Sequence, residues 1–417
     1  MKVFRFFSLF GIIFFTTAKS FAQDQIFDLT PAEKVTQENI DSRIAEIRMG
    51  DLTVYAPPGA QITIEQVKHE FLFGTAIPNE LAESVPNSFS SSDREKYLQV
   101  LEDNFNYAVH ENALKWYSNE PEMGEVDYSV ADRIWELCEE RDIPMRGHCI
   151  YWAKDEFMND WLLPLNNAQL RKAVVNRGKS VTEHFKGRIN EFDLNNEMIH
   201  GDFFRRRLGF GVINEMAWIV KASNPDAVLY LNDYGVLDIG FNAGPYVKQI
   251  GILLDNGVPL GGIGVQGHRS TSTTLTTPAE KVQQNLDRLS EFNLPIKITE
   301  VLFAYEDEKL QAEELNKLFL IYFANPQVQA IVMWGFWAGS HWQPYSAMWK
   351  EDWTPRPQAN AYRDLVFDKW WTGVEQEADS SGELTIRAFY GDYKVTCNGE
   401  TKHISLNKAK GSTEVQF

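Results

Sequence analysis

Cysteine is scarce in this chain. Cys138, Cys149 and Cys397 are the only three among 417 residues, an odd number without metal-ligand spacing, so no disulfide framework organises the fold. Positive charge is also short: 40 Lys and Arg stand against 58 Asp and Glu, a net charge of −18. A chain that acidic repels nucleic acid and anionic surfaces, which points to a neutral or weakly charged partner. No His-x-His lies on an early strand and no clear His/Asp ligand set appears, which argues against a metal-dependent hydrolase; no metal or other cofactor is expected. After the first 22 residues no apolar run is long enough to span a bilayer. The one apolar run, Phe6 to Phe15, follows Lys2 and Arg5 and ends in small residues at Ser20-Phe21-Ala22. That order predicts a secretory signal peptide over 1–22 and an exported, secreted or periplasmic product.

What is present is a repeating strand-then-helix pattern. Candidate strands are Phe71–Ile77, Tyr107–Asn112, Met145–Trp152, Ile189–Asn195, Val228–Asn232, Gly262–Gly267, Ile296–Thr299 and Ala330–Phe336, with amphipathic stretches such as Tyr128–Arg141, Ala168–Phe185, Phe241–Asn256 and Thr277–Glu291 between them. Eight such units predict an α/β chain folded as a (β/α)₈ TIM barrel over 70–372. A doubly wound open sheet is the alternative, but it wants a Gly-rich first strand-to-helix turn that Gly74-Thr75-Ala76-Ile77-Pro78 does not supply. The flanks read differently. Residues 23–48 suggest a helical lead-in. Asp51–Tyr55 and Gln61–Val67 alternate around Pro57-Pro58-Gly59 and read as a hairpin within 23–69. Glu383–Phe389, Tyr393–Cys397 and Lys402–Leu406 are short strands within 373–417. Isolated hairpins are marginal in water, so the terminal strands are expected to form one small β-sandwich-like module.

The polar residues sit late in the barrel strands. They are Glu111, Asn112, Lys115 and Trp116 after the second; His148 and Trp152 in the third; Asn196 and Glu197 at the fourth; Asn232-Asp233-Tyr234 at the fifth; Gln266 and His268 at the sixth; Glu300 at the seventh; and Trp334, Trp337 and Trp342 at the eighth. Each alone has an ordinary explanation: a polar strand exit solvated by water, a structural histidine, a core tryptophan. Seven consecutive units agreeing on one end is hard to explain by packing, and in such barrels that end carries the site. Two strands each delivering a glutamate to one face, Glu197 and Glu300, can split a glycosidic bond. Carboxyls ~5–5.5 Å apart cannot both ionise cheaply, so one attacks while the other donates a proton. Twelve tryptophans offer flat faces for sugar rings.

These segments resemble glycoside hydrolase family 10, the retaining endo-β-1,4-xylanases, from about Phe71 to Trp371. Glu111-Asn112-Ala113-Leu114-Lys115-Trp116 is similar to the family's glycone-binding motif, and Arg146-Gly147-His148-Cys149-Ile150-Tyr151-Trp152 to its third-strand motif. Phe192-Asp193-Leu194-Asn195-Asn196-Glu197 resembles the acid/base segment, Gly264-Val265-Gln266-Gly267-His268 the sixth-strand pair, and Ile298-Thr299-Glu300 the nucleophile motif. The resemblance implies Glu197 as acid/base and Glu300 as nucleophile. It also implies Glu111, Asn112, Lys115, His148, Trp152, Asn196, Tyr234, Gln266, His268, Trp334 and Trp342 as contacts to xylan or xylo-oligosaccharides. Other β-linked plant or algal polysaccharides, or a weakly active carbohydrate-binding barrel, are the alternatives. Three positions depart from the family pattern: Phe192 for a common tryptophan, Ala153 for a histidine, and Leu302 for an aspartate that supports the sixth-strand histidine. With Leu302 there, His268 is left to whichever other carboxylate takes over, Glu300 being the nearest candidate, and Glu300 is expected to have a higher pKa than in relatives that bear the aspartate.

Overall fold

The computed structural model describes residues 29–238, 242–269 and 276–417; the expected signal peptide at 1–22 lies outside them. The barrel strands are β3 (Leu72–Ile77), β4 (Tyr107–His110), β5 and β6 (Met145–Arg146 and Tyr151–Trp152), β7 (Glu191–Asn196), β8 (Val228–Asp233), β9 and β10 (Gly262–Val265 and His268–Arg269), β11 (Ile296–Phe303) and β12 (Val328–Met333). Every neighbouring pair is parallel, and β12 returns to β3 with Ala330 opposite Leu72. The third strand is split. Met145 pairs with Ala108 on one side, Tyr151 pairs with Asn195 on the other, and Gly147 bridges Phe192 between them. Glycine is required there, because a Cβ would meet the Phe192 ring at 2.4 Å. The result is the TIM barrel expected from eight strand–helix units.

Helices start where the side chains allow it. Asn166 and Gln169 cap one another reciprocally at the head of Asn167–His184, and Ser90 caps Ser91–Asn104. The apolar faces of these helices pack around the ring, and β11 is buried at all eight positions, as a strand covered on both sides must be. The lumen is mixed. Leu302, Ala304, Ala330, Val332, Tyr107 and Trp334 form an apolar cluster. Beside it, Lys297 donates to Glu191 and to the Tyr107 hydroxyl at 2.8 Å. Burial pulls the Lys297 amine down to about 8 while Glu191 opposes it. Among the described residues no helix is long and apolar enough to cross a membrane.

The terminal strands are β1 (Met49–Tyr55), β2 (Gln61–His69), β13 (Gly373–Glu377), β14 (Glu383–Phe389), β15 (Gly391–Cys397), β16 (Glu400–Leu406) and β17 (Ser412–Gln416). They form two sheets, ordered β14-β1-β17 and β13-β2-β15-β16, around Leu52, Val54, Ile62, Ile64, Tyr393, Val395, Leu406 and Val415. The hairpin expected of β1 and β2 does not form. The two strands lie in different sheets, and their partners come from the other end of the chain. The Pro57-Pro58-Gly59 turn therefore crosses between layers. The true hairpin is β15–β16, turned by Asn398 and Gly399 with φ of 49° and 85°, the conformation a two-residue hairpin loop needs.

Candidate active site

β7 breaks register shortly before Glu197, and β11 across the span that holds Glu300. On β7 the shift falls between Asp193 and Asn195, and on β11 between Ile298 and Val301. An inserted residue bends a strand and re-aims the next side chain, and here both glutamates turn into one cleft of about 520 Å³ at the C-terminal mouth of the barrel. The thirteen residues that the family resemblance implies for catalysis and sugar contact all line it: Glu197, Glu300, Glu111, Asn112, Lys115, His148, Trp152, Asn196, Tyr234, Gln266, His268, Trp334 and Trp342. The other strand-end residues, Trp116, Asn232, Asp233 and Trp337, do not; all four are buried.

The two carboxyls have different surroundings. Glu197 follows β7 with φ of 57°, and its amide is fixed to the Asn232 carbonyl at 2.8 Å. One oxygen accepts from the Gln266 amide at 3.0 Å and the other from the Trp152 indole at 3.1 Å. Glu300, 4% exposed, accepts from the Asn232 amide at 2.6 Å, while His268 Nε2 lies 3.1 Å from its other oxygen. His148 Nε2 stands 4.0 Å away. Burial alone pushes the Glu300 carboxyl up. The hydrogen bond from His268 and the charges of His148, His268 and Lys115 outweigh it and hold the group at about 2. Leu302 pairs with His268 across the strands and leaves His268 Nδ1 buried without a partner among the described residues, yet His268 turns its other nitrogen directly on Glu300.

Supporting groups brace this pair. Asn232 also donates to Asn196 Oδ1 at 2.9 Å and accepts from the Thr299 hydroxyl at 2.5 Å, so one amide ties β7, β8 and β11 together. Asp193 accepts from Arg146 and lies 2.8 Å from His148 Nδ1. Tyr234 stacks on His200 with ring centroids 3.6 Å apart, and His200 is held by Asp233 at 2.7 Å. Lys115 donates to Asn112 at 3.0 Å and sits over the Trp152 ring. Burial raises Glu111 to about 7, against the opposing charge of Lys115. Trp334 is nearly buried, whereas Trp342 is 55% exposed at the rim.

Three lining residues were not singled out from the sequence: Tyr117, Lys154 and Phe157. Phe157 stacks on Trp152 with centroids 3.7 Å apart, and Tyr117 donates to Asn112 at 3.0 Å. Lys154 and Phe157 sit in a loop after β6 that carries no periodic signal, so only contact reveals them. Asn232 was already marked at the end of the fifth strand, and Asp193 had a visible signal, being a polar residue inside a buried strand.

Comparison with known proteins agrees with the geometry. The family model described as Glycosyl hydrolase family 10 matches residues 64–365. The anti-sigma-I factor RsgI6 of Acetivibrio thermocellus is 34% identical over 393 residues, 91% of this chain and 50% of that protein. Endo-1,4-beta-xylanase 2 of Arabidopsis thaliana is 30% identical over 90% of this chain and 34% of its own length. The chain thus spans half or less of the length of these two relatives. Among solved structures, xylanase 10B of Thermotoga maritima superposes with a TM-score of 0.64 at 27% identity, covering 72% of this chain and 96% of that one. With a family model matching well over half of the residues, this chain belongs to glycosyl hydrolase family 10.

Proposed function

We propose that the protein is a retaining, endo-acting hydrolase of β-1,4-xylosidic bonds in xylan. The observation that carries this reading is the pair of carboxyls in one cleft: Glu300, held ionised by His268, His148 and Lys115, and Glu197, which accepts from Gln266 and Trp152 and has Lys154 at 3.6 Å. In the first step the Glu300 carboxylate attacks the anomeric carbon. The C–O bond to the leaving sugar breaks, and Glu197 gives its proton to the departing oxygen. A glycosyl ester on Glu300 results, with inverted configuration. In the second step the ionised Glu197 takes a proton from water, whose oxygen displaces Glu300 from the same carbon, and two inversions make a net retention. Asn112, Lys115 and Asn196 are placed to hold sugar hydroxyls, and Trp334 and Trp342 to stack on the rings. A xylanase of Thermotoga petrophila, 28% identical to this chain, has been solved with xylobiose, which supports xylan as the substrate class.

Export is part of the same reading: a polysaccharide outside the cell is reached by the signal-like segment at 1–22. The test is product analysis on purified linear xylan, decorated xylan, β-glucan and cellulose. Short xylo-oligosaccharides appearing from the linear xylan before xylose support an endo-xylanase. Release only from another glycan transfers the same pair of glutamates to that substrate, and no release from any identifies a sugar-binding barrel.

A further inference from the structure

The cleft holds a cation that double displacement does not require. Lys154 Nζ lies 3.6 Å from Glu197 Oε2 and 2.9 Å from Glu156 Oε1. Its side chain is 18% exposed, and the ammonium sits over the Phe157 and Tyr234 rings at 5.4 and 5.7 Å. Several contacts fix the backbone that presents it. Asp155 pairs with Arg206 at 2.5 Å, and Arg206 with Asp202 at 2.5 Å. The Phe203 amide donates to the Ala153 carbonyl at 3.0 Å, and the Gly201 amide to the Glu197 carbonyl at 2.9 Å. Gly201 packs so closely that a Cβ there would meet the Lys154 backbone nitrogen at 2.7 Å. The short turn leaving Glu197 therefore clamps the segment that carries the lysine, and the lysine has been brought to the carboxyl by construction of the loop rather than by a free side chain.

The remaining charges divide between the two glutamates. His148, His268 and Lys115 act on Glu300, and Glu111 sits beside Lys115. His200 and Asp233 pair with each other behind Tyr234. Ionised Glu300 shares the cleft and opposes a second negative charge there, the Tyr234 hydroxyl also faces Glu197, and the other side-chain partners of Glu197 are the amide of Gln266 and the indole of Trp152, both neutral. Among the described residues, Lys154 is the one cation within ion-pair distance of it.

We propose that Lys154 is a positioning residue that sets the pH at which Glu197 gives up its proton, and that Glu156 tunes this by competing for the same ammonium. The proposal rests on Glu197 being the acid/base. An ammonium beside a carboxyl favours the ionised form. Proton donation in the first step is then lost at a lower pH, while the carboxylate needed to activate water in the second step is kept. Glu156, at 2.9 Å against 3.6 Å, draws charge away from Glu197 and moderates the effect.

The experiment reads the basic limb of kcat/KM against pH on an aryl β-xylobioside. Lys154→Gln moves the limb up by about 0.5–1 pH unit, Lys154→Arg leaves it near the parent value, and Glu156→Gln moves it down. The double variant Lys154→Gln/Glu156→Gln behaves as Lys154→Gln alone, because Glu156 works through the lysine. The displacements shrink at high salt. Glu197→Ala on a substrate with an activated leaving group, which needs no acid, provides the separating control: its basic limb vanishes if Glu197 is the acid/base. A limb that survives there overturns the reading of Glu197. A limb that vanishes there yet stays fixed in Lys154→Gln overturns the role of Lys154. So does a Lys154→Gln variant whose one change is a higher KM on uronic-acid-bearing xylan, since that makes the lysine a contact to acidic substituents.

Discussion

Replacing His268 with phenylalanine isolates the interaction that does most to keep the Glu300 carboxyl ionised. Burial drives that carboxyl up; the His268 hydrogen bond is the largest influence in the other direction, ahead of the charges of His148, His268 and Lys115, and the balance falls at about 2. The imidazole stands edge-on to Trp334 and Trp342, with centroids 6.3 and 6.2 Å away. Its Nδ1 has no partner among the described residues. A phenyl ring therefore keeps the packing and removes the hydrogen bond to Glu300 Oε2 together with the His268 charge, while Asn232 still donates to the other oxygen at 2.6 Å. A hydrogen bond to a charged group contributes about 1.5–3 kcal/mol, which corresponds to about 1–2 pH units. Starting from about 2, the acid limb of kcat/KM on an aryl β-xylobioside should emerge near pH 3–4. Stability follows the same sign. A carboxyl held below its ordinary 4.5 stabilises the fold above that pH, and the contribution is lost as pH falls through about 2. The variant has less of it to lose, so its acid-unfolding midpoint moves up as well. An acid limb and an acid midpoint that both stay in place, with the fold intact, would refute this assignment of His268.

Chemical rescue separates the two glutamates: Glu300→Ala with azide should yield the inverted glycosyl azide, Glu197→Ala the retained one, and product NMR showing the reverse means the roles are exchanged. Glu111, raised by burial to about 7 from an ordinary 4.5, favours the fold when protonated, a contribution present below pH 4.5 and lost as pH rises through 7. Glu111→Gln should therefore stabilise the protein at pH 8, by something on the order of 1–3 kcal/mol, and leave it unchanged at pH 4; equal urea midpoints at pH 8 contradict this. Ending the chain at Trp371 removes β13–β17 and uncovers Leu52, Val54, Ile62 and Ile64, so thermal stability should fall although no cleft residue is touched; an unchanged melting temperature would mean that the terminal strands are an independent appendage.

The barrel and its cleft were legible because both are written locally. A strand of one parallel barrel is a short buried run, and its functional end is marked by polar residues where apolar ones would otherwise continue, as at Asn195-Asn196-Glu197 and Thr299-Glu300. The terminal strands were legible as strands and illegible as partners. Residues 51–55 and 61–67 adjoin in sequence, but each finds its antiparallel neighbours more than 300 residues away, and no local pattern encodes such pairing. The register shifts on β7 and β11 were equally hidden, since a bulge depends on the neighbouring strand. Leu302 marked a missing partner for His268 with Glu300 as the nearest replacement, but which nitrogen His268 presents to Glu300 is decided in three dimensions. Lys154 reaches Glu197 through a loop clamped by Gly201 and Arg206, and the sequence shows only an ordinary polar stretch there.

Anomeric stereochemistry tests double displacement at Glu300 and Glu197 most directly. Hydrolysis of a xylo-oligosaccharide should be followed by proton NMR from the first minutes, before mutarotation mixes the anomers. With Glu300 as nucleophile and Glu197 as acid/base, the β-anomer of the new reducing end appears first and the α-anomer grows in later. The α-anomer appearing first would contradict it, because a single inverting displacement leaves no place for a glycosyl ester on Glu300.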